Sequence, residues 1–371
     1  MTLTFSGHGA FSSQDIETLI QQGAIINAEK EHISPASLDL TISDEAYRVE
    51  EIFLPKTGET VRDVLKSIEV FPHDFSNPLE RDVTYLFLLN EKISLPEDVY
   101  GYCNPKSTTG RNDVHARVIA DGVSRYDAVT PKGFRGELWV AVTPKSFPIK
   151  LAKGMPLSQL RLFNKDTHFT EGECKDALET YGLLWDLEGR KYSYEEIKIR
   201  DNDGSIILTL DLSQDIAGYE CHGSNKVLDF SKGAQSHNPA GFFERIRIDR
   251  KRIHLKKGSF YVLSSCEAVR VPPDLTCEMA PMDERSGEFR SHYAGFIDPG
   301  WGWGKNGEGK GRPLTLEMRP FEDIVIRHGQ PIGKIKFERV TQIPNMLYDT
   351  KASNYLAQTG PKLSKHFKEL A

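Results

Sequence analysis

The chain lacks the features that would mark a membrane protein, a disulfide scaffold or a zinc enzyme. No apolar run approaches the ~20 residues that a membrane helix needs; YLFLL at Tyr85–Leu89 is only strand-length. No positive charge precedes Lys30, so neither a secretory leader nor an Arg-rich transit peptide is read. Cysteine is scarce: Cys103, Cys174, Cys221, Cys266 and Cys277 are odd in number and widely spaced. That excludes a disulfide framework and a C-x-x-C zinc site, and a cytoplasmic protein with reduced thiols is expected. The H-x-E plus C-x-x-C pattern of zinc-dependent nucleobase deaminases is absent as well. A basic excess is also missing. Lys+Arg 47 against Asp+Glu 53 gives a net charge of −6, which argues against gripping a nucleic-acid backbone. A small phosphorylated ligand needs only a local cluster of cations.

What is present is mostly β. The 371 residues, 39% hydrophobic and 27% charged, give ample core material and a soft prior of two domains. Short runs of Val, Ile, Leu, Phe and Tyr alternate with Gly, Pro, Asn and Asp clusters, as in barrels and sandwiches. Helical signals are few. Ser13 followed by Asp15–Gln22 predicts a capped helix with Ile16, Leu19 and Ile20 inward, and Cys174–Leu184 carries Ala177, Leu178, Tyr181 and Leu184 at helical spacing.

Internal comparison adds a repeat. Ser37–Thr41 (SLDLT) returns as Thr209–Ser213 (TLDLS), and Ile93–Val99 returns as Val269–Leu275. Lys106-Ser107 with Arg111 returns as Arg285-Ser286 with Arg290, and Lys153–Leu160 returns as His328–Ile335. Four collinear matches at offsets of 172 to 179 residues predict a tandem duplication divided near Glu188–Gly204. The expected architecture is two mostly-β barrels, each a distorted jelly roll with a few short helices, spanning residues 1–187 and 188–371.

Four segments carry candidate chemistry. The glycine stretch Gly300–Gly311 contains G-x-G-x-x-G and a near-miss to a phosphate loop. A strand pattern follows it where both motifs need a helix, so it reads as a flexible hairpin extension. Lys106–Arg111 and Arg285–Arg290 combine hydroxyls, glycine and guanidinium, which suit phosphate oxygens as well as they suit a solvated turn. Tyr293–Trp301 predicts a strand entering a tight turn at Asp298. Glu317 lies among apolar neighbours on a predicted strand, where burial would fit it for acid–base work.

Together these residues resemble the dCTP deaminase family, within the trimeric dUTPase-like fold. The family's R-S-S-x-x-R phosphate motif is similar to Arg285–Arg290 and to Lys106-Ser107-Thr108-Thr109-Gly110-Arg111. Its I-D-P-G-W hairpin is matched by Ile297–Trp301, its V-L-E strand by Leu316-Glu317, and its K-Y-x-x-Q-x-G-P tail by Asn354–Pro361. The doubled length resembles the fused, two-copy subgroup. In the first half the glutamate position falls on Ala141 or Val142, the second hairpin is lengthened by glycines, and Asn354 replaces the tail lysine.

The resemblance implies zinc-free hydrolytic deamination of dCTP to dUTP and ammonia. Glu317 would be the proton carrier, Ser107 or Ser286 would hold the water, and Arg111 or Arg290 would stabilise charge. Substrate contacts would come from Lys106, Thr108, Arg285, Asp298, Thr315, Leu316, Tyr348, Tyr355 and Gln358. Mg²⁺ would arrive on the triphosphate, with dUTP or dTTP as product or inhibitor. Neither nucleic acid nor membrane is an expected partner. In this fold the sites lie between neighbouring barrels, so a homo-oligomer is expected, most simply three two-barrel chains. The alternatives are a bifunctional enzyme releasing dUMP, a dUTP diphosphatase in which Asp298 activates water, and a non-catalytic nucleotide sensor.

Overall fold

The structure, a computed structural model, describes residues 5–248, 251–291, 293, 295–350, 355 and 358–369; Asn354 lies outside them. The chain forms two compact units. The first comprises Met1–Asp166, Gly223–Gly241 and Ser364–Ala371, and the second Thr167–His222 and Phe242–Leu363. Both are mostly β. Among the described residues no helix is long and apolar enough to cross a membrane, and all five cysteines are unbridged.

In the first unit one sheet curls towards a barrel. Its strands run in the order Val114–Ala120, Leu138–Pro144, Thr84–Leu89, Ser37–Val49, Pro156–Phe163, Tyr100–Pro105, Ala128–Val129. The long Ser37–Val49 strand serves both halves of the curl. Leu38–Thr41 pairs with Pro156–Leu160, while Ile42–Val49 pairs with Thr84–Leu89. A register shift between Ile42 and Ala46 supplies the bend. Leu38, Leu40, Val140, Leu160 and Leu162 are wholly buried.

The second unit stacks two antiparallel sheets. One runs Phe243–Arg247, Ile216–Cys221, Phe260–Val269, Arg312–Pro320, Phe289–Ser291; the other runs Ser205–Thr209, Pro331–Arg339, Leu275–Ala280, Phe296–Ile297. Leu208, Leu263, Leu316, Met318, Ile335 and Phe337 belong to one buried cluster.

Equivalent hydrogen bonds confirm the duplication. The Tyr85 and Tyr261 hydroxyls each accept the backbone N–H of the fifth residue upstream, Glu80 at 3.2 Å and Lys256 at 2.9 Å. Glu91 takes the N–H and hydroxyl of Thr41 at 2.9 and 2.7 Å; Glu267 takes those of Thr209 at 2.8 and 2.6 Å. This register corrects one match. Leu38 faces Leu160 and Ile206 faces Ile335, so Ser37–Thr41 returns as Ser205–Thr209 and not as Thr209–Ser213. A shift of four keeps every side chain on its own face of a strand, so alternation in the sequence does not distinguish the two.

The first helix is Ser13–Gln21, with Ser12 and Asp15 forming a reciprocal capping box and Ile16 and Leu19 buried. The second is Glu171–Tyr181, starting earlier than its apolar spacing implied because Thr170 and Glu173 cap it. It stops at Gly182 in the left-handed region (φ 64°), and Leu184 instead joins a short strand opposite Val269.

Candidate active site

Glu317 sits mid-strand in Arg312–Pro320. Leu314, Leu316 and Met318 point into the core, so strand alternation turns Thr315, Glu317 and Arg319 to the other face. Ser264 lies opposite Thr315, Val262 opposite Glu317, and Arg290 opposite Arg319. Glu317 is nonetheless only 2% exposed. Its Oε2 accepts the Tyr293 backbone N–H at 3.0 Å. Tyr293 is itself clamped: Phe260 lies 5.5 Å from its ring, the Arg290 guanidinium 4.6 Å from its centroid, and Arg319 Nε donates to its hydroxyl at 3.1 Å. A buried carboxylate is thus aimed by a backbone amide whose own residue has little freedom.

Several expected contacts gather on this strand. Gln358 is buried and its Nε2 donates to the Pro313 carbonyl at 2.8 Å, while the Lys362 N–H reaches Thr315 Oγ1 at 3.3 Å. Tyr355 is buried too. Leu316 is adjacent to Glu317, but its side chain lies in the core. Asp298 opens the turn to Trp301, which Tyr348 supports. The Tyr348 N–H donates to Pro299 at 2.9 Å, and its ring lies 4.9 Å from that of Trp301. Gly300 is required there: φ is 89° and an added Cβ would fall 2.6 Å from the Leu347 Cβ.

The glycine stretch is a pinned loop and leads into a strand, not a helix. Arg270 donates to the Gly307 carbonyl at 2.6 Å and stacks 3.8 Å from the Trp303 centroid, while Gly309 and Gly311 N–H groups close on Trp303 and Gly302.

The two phosphate-type motifs differ in construction. In the first copy Lys106 is ion-paired with the buried Asp39, Ser107–Gly110 forms one helical turn, and Arg111 is buried. Thr109 Oγ1 ties the turn to the Leu157 carbonyl at 3.0 Å, and Asn112 Nδ2 donates to the Thr108 carbonyl at 2.6 Å. In the second copy Arg285 is mostly exposed and folds back on Asp283 at 2.7 Å, with Ser286 ending a short 3₁₀ turn. Arg290 is on a strand, whereas Arg111 ends the helical turn preceding one. The letters repeat; the geometry does not.

The register also identifies the first unit's counterpart of Glu317. Leu86 follows Tyr85 as Val262 follows Tyr261, and Leu86 faces Ala141 as Val262 faces Glu317. Ala141 packs with Val49, Val61, Leu86, Ile119 and Trp139 in a separate apolar cluster. The short helix Val61–Leu65, which the sequence reading missed, closes it. Arg62 from that helix bonds Glu45 at 2.9 Å and Glu137 at 2.6 Å and lies 5.2 Å over Trp139. Asp127 is held by Arg117 at 2.8 Å. In the first unit this face is therefore plugged, and its carboxylates serve structure.

Two clusters of metal-ligand type occur among the described residues, Asp211/Cys266/His328 and His168/Glu278/Glu338, and neither includes a candidate catalytic residue.

Residues 7–166 match the family model for the 2'-deoxycytidine 5'-triphosphate deaminase N-terminal domain, and residues 187–367 match that for its C-terminal domain. The chain belongs to the dCTP deaminase family. It is similar to the crystal structure of 2'-deoxycytidine 5'-triphosphate deaminase from Agrobacterium tumefaciens, with 32% identity and a TM-score of 0.80 over 90% of this chain and 99% of that one. No curated protein matches. Tandem dUTPase-like jelly rolls are the fold of this family member, as its sequence implied.

Proposed function

We propose that this family member deaminates dCTP, supplied as its Mg²⁺ complex, with water to give dUTP and ammonia. The observation that carries this is the buried, amide-oriented carboxylate of Glu317 in a chain matched end to end by the family's two domain models. Water adds to C4 of the cytosine as Glu317 takes its proton. Glu317 then protonates N3 and the departing amine, and C4 keeps the oxygen. Ser107 holds the water and Arg111 stabilises the charge that develops at the ring. The first copy of the phosphate motif is favoured for these roles because its cations are anchored, whereas Arg285 is exposed and paired with a sequence neighbour. Lys106 and Thr108 then grip phosphate, while Thr315, Tyr355, Gln358, Tyr348 and Asp298 line the nucleoside. Ser286 and Arg290 are the fallback pair.

The test is incubation with dCTP and Mg²⁺, separating dCTP, dUTP and dUMP while assaying ammonia and pyrophosphate. Ammonia with dUTP supports the proposal, and dUMP with pyrophosphate moves it to the bifunctional form. No ammonia sinks it. The same reading expects an oligomer of three chains; a fully active monomer by light scattering would refute that part.

A further inference from the structure

The segment Ser364–Lys368 belongs to the first unit and docks on its phosphate-type turn. Asn112, one residue past that turn, reaches Ser364 Oγ at 3.0 Å and His366 Nδ1 at 3.2 Å, as well as the Thr108 carbonyl. Ser364 Oγ lies 3.0 Å from His366 Nδ1, and the His366 ring stacks on Phe230 at 4.3 Å. From the other side the Gln235 N–H donates to the Lys365 carbonyl at 2.7 Å, and the His237 N–H donates to that of His366 at 3.0 Å. Residues on both sides of Lys365, and its own carbonyl, are fixed.

Lys365 is half-buried, and its ammonium faces the Lys106 ammonium and the Asp39 carboxylate. Asp39 is already committed to Lys106 and is only 8% exposed. Two ammonium groups thus converge on one carboxylate. Burial and the like charge of Lys106 both push the Lys365 ammonium towards losing its proton. In the empty protein this crowding is unfavourable, and a polyanion placed between the two cations reverses its sign. No element of the fold otherwise calls for a second cation here.

We propose that Lys365 is a further triphosphate-binding residue, a cation delivered by the C-terminal segment to the Lys106–Arg111 turn and positioned there by Ser364, His366 and Asn112. The proposal rests on reading that turn as the phosphate grip. A charge-assisted contact to phosphate made equally in the ground and transition states sets KM and leaves kcat nearly alone.

Steady-state kinetics with Mg²⁺·dCTP on Lys365→Ala and Lys365→Arg test it, alongside thermal unfolding of each variant. The expected result is a KM raised about tenfold in Lys365→Ala with kcat within about twofold, and a KM within about twofold of wild type in Lys365→Arg. An unchanged KM in Lys365→Ala overturns the proposal, as does a KM that Lys365→Arg leaves raised although it melts with the wild type. Calorimetric titration with sodium tripolyphosphate separates the two readings. If wild type releases no ammonia from dCTP, the assigned reaction fails. This proposal then stands when tripolyphosphate binds wild type about tenfold tighter than Lys365→Ala, and falls when the two bind alike or not at all.

Discussion

Replacing Glu317 with glutamine changes one atom and removes one property. Glutamine keeps the volume of the buried side chain, and its carbonyl oxygen still accepts the Tyr293 N–H that fixes Oε2 at 3.0 Å. It cannot take a proton from water at neutral pH. A positioned acid–base group contributes a factor of ~10²–10⁴. Glu317 serves both proton transfers of the proposed reaction, so the upper end applies. The first unit offers only Ala141 at the matching register, inside a plugged apolar cluster, so no second carboxylate can carry residual turnover. The expected loss in kcat is ~10³–10⁴, or about 4–5 kcal/mol at 1.36 kcal/mol per decade. KM for dCTP should stay within about threefold, and the unfolding midpoint should be nearly unchanged. Ammonia release under saturating Mg²⁺·dCTP reads the first quantity, and equilibrium dCTP binding reads the second. Glu317→Gln turning over within tenfold of wild type refutes the assignment of Glu317.

Arg111→Ala should lower kcat/KM for dCTP by at least tenfold, whereas Arg285→Ala, which loses only an exposed pair with Asp283, should stay within twofold; the reverse ranking transfers the phosphate grip to the second copy. Ala141→Glu should destabilise the protein by several kcal/mol in denaturant titration and add no deaminase activity, because it places a carboxylate among Val49, Leu86 and Trp139. A gain in kcat there would show that the first unit's face is open after all. Burial next to Lys365 and His237 holds His366 down at about 4, below its ordinary 6.5. The unfolded chain therefore binds more protons between those values, and stability should fall as pH drops from about 6.5 towards 4. His366→Gln should flatten that slope in pH-dependent melting, and an unchanged slope would remove His366 as its source.

The duplication and the Glu317 strand were legible because both rest on short-range patterns. Alternation marks Leu314, Leu316 and Met318 as one face, and a lone glutamate between them stands out. The register of the repeat was not legible: Leu38–Leu40 and Leu210–Leu212 flank an aspartate alike, and only the hydrogen bonds to Glu91 and Glu267 distinguish 205–209 from 209–213. Arg285-Ser286 matched Lys106-Ser107 in letters for the same reason. Their backbones, one a helical turn and the other a 3₁₀ turn beside a strand, are set by contacts far away in sequence. The helix Val61–Leu65 spans five residues and is fixed by Arg62 reaching Glu45 and Glu137, partners 17 and 75 residues distant. Tyr293 acts through its backbone N–H, which no side-chain motif encodes.

The same register position has met opposite fates in the two copies. Where the second unit carries Thr315, Glu317 and Arg319, the first carries Trp139, Ala141 and Thr143; opposite them, Ser264 and Val262 become Leu88 and Leu86. A face with a carboxylate and hydroxyls keeps water and ligand within reach, whereas Trp139 and Leu86 gain by excluding both. The polar cost of covering that apolar face is met at its rim, where Arg62 satisfies two glutamates at once. The first copy kept its anchored phosphate-type turn while its base-facing surface closed, and the second kept the carboxylate while Arg285 drifted to solvent. Each copy thus retains the half of the chemistry that its own packing still supports. Reopening the first face would require replacing Trp139, Ala141 and Leu86 together with the helix that covers them, since any single polar change there would bury a group without a partner.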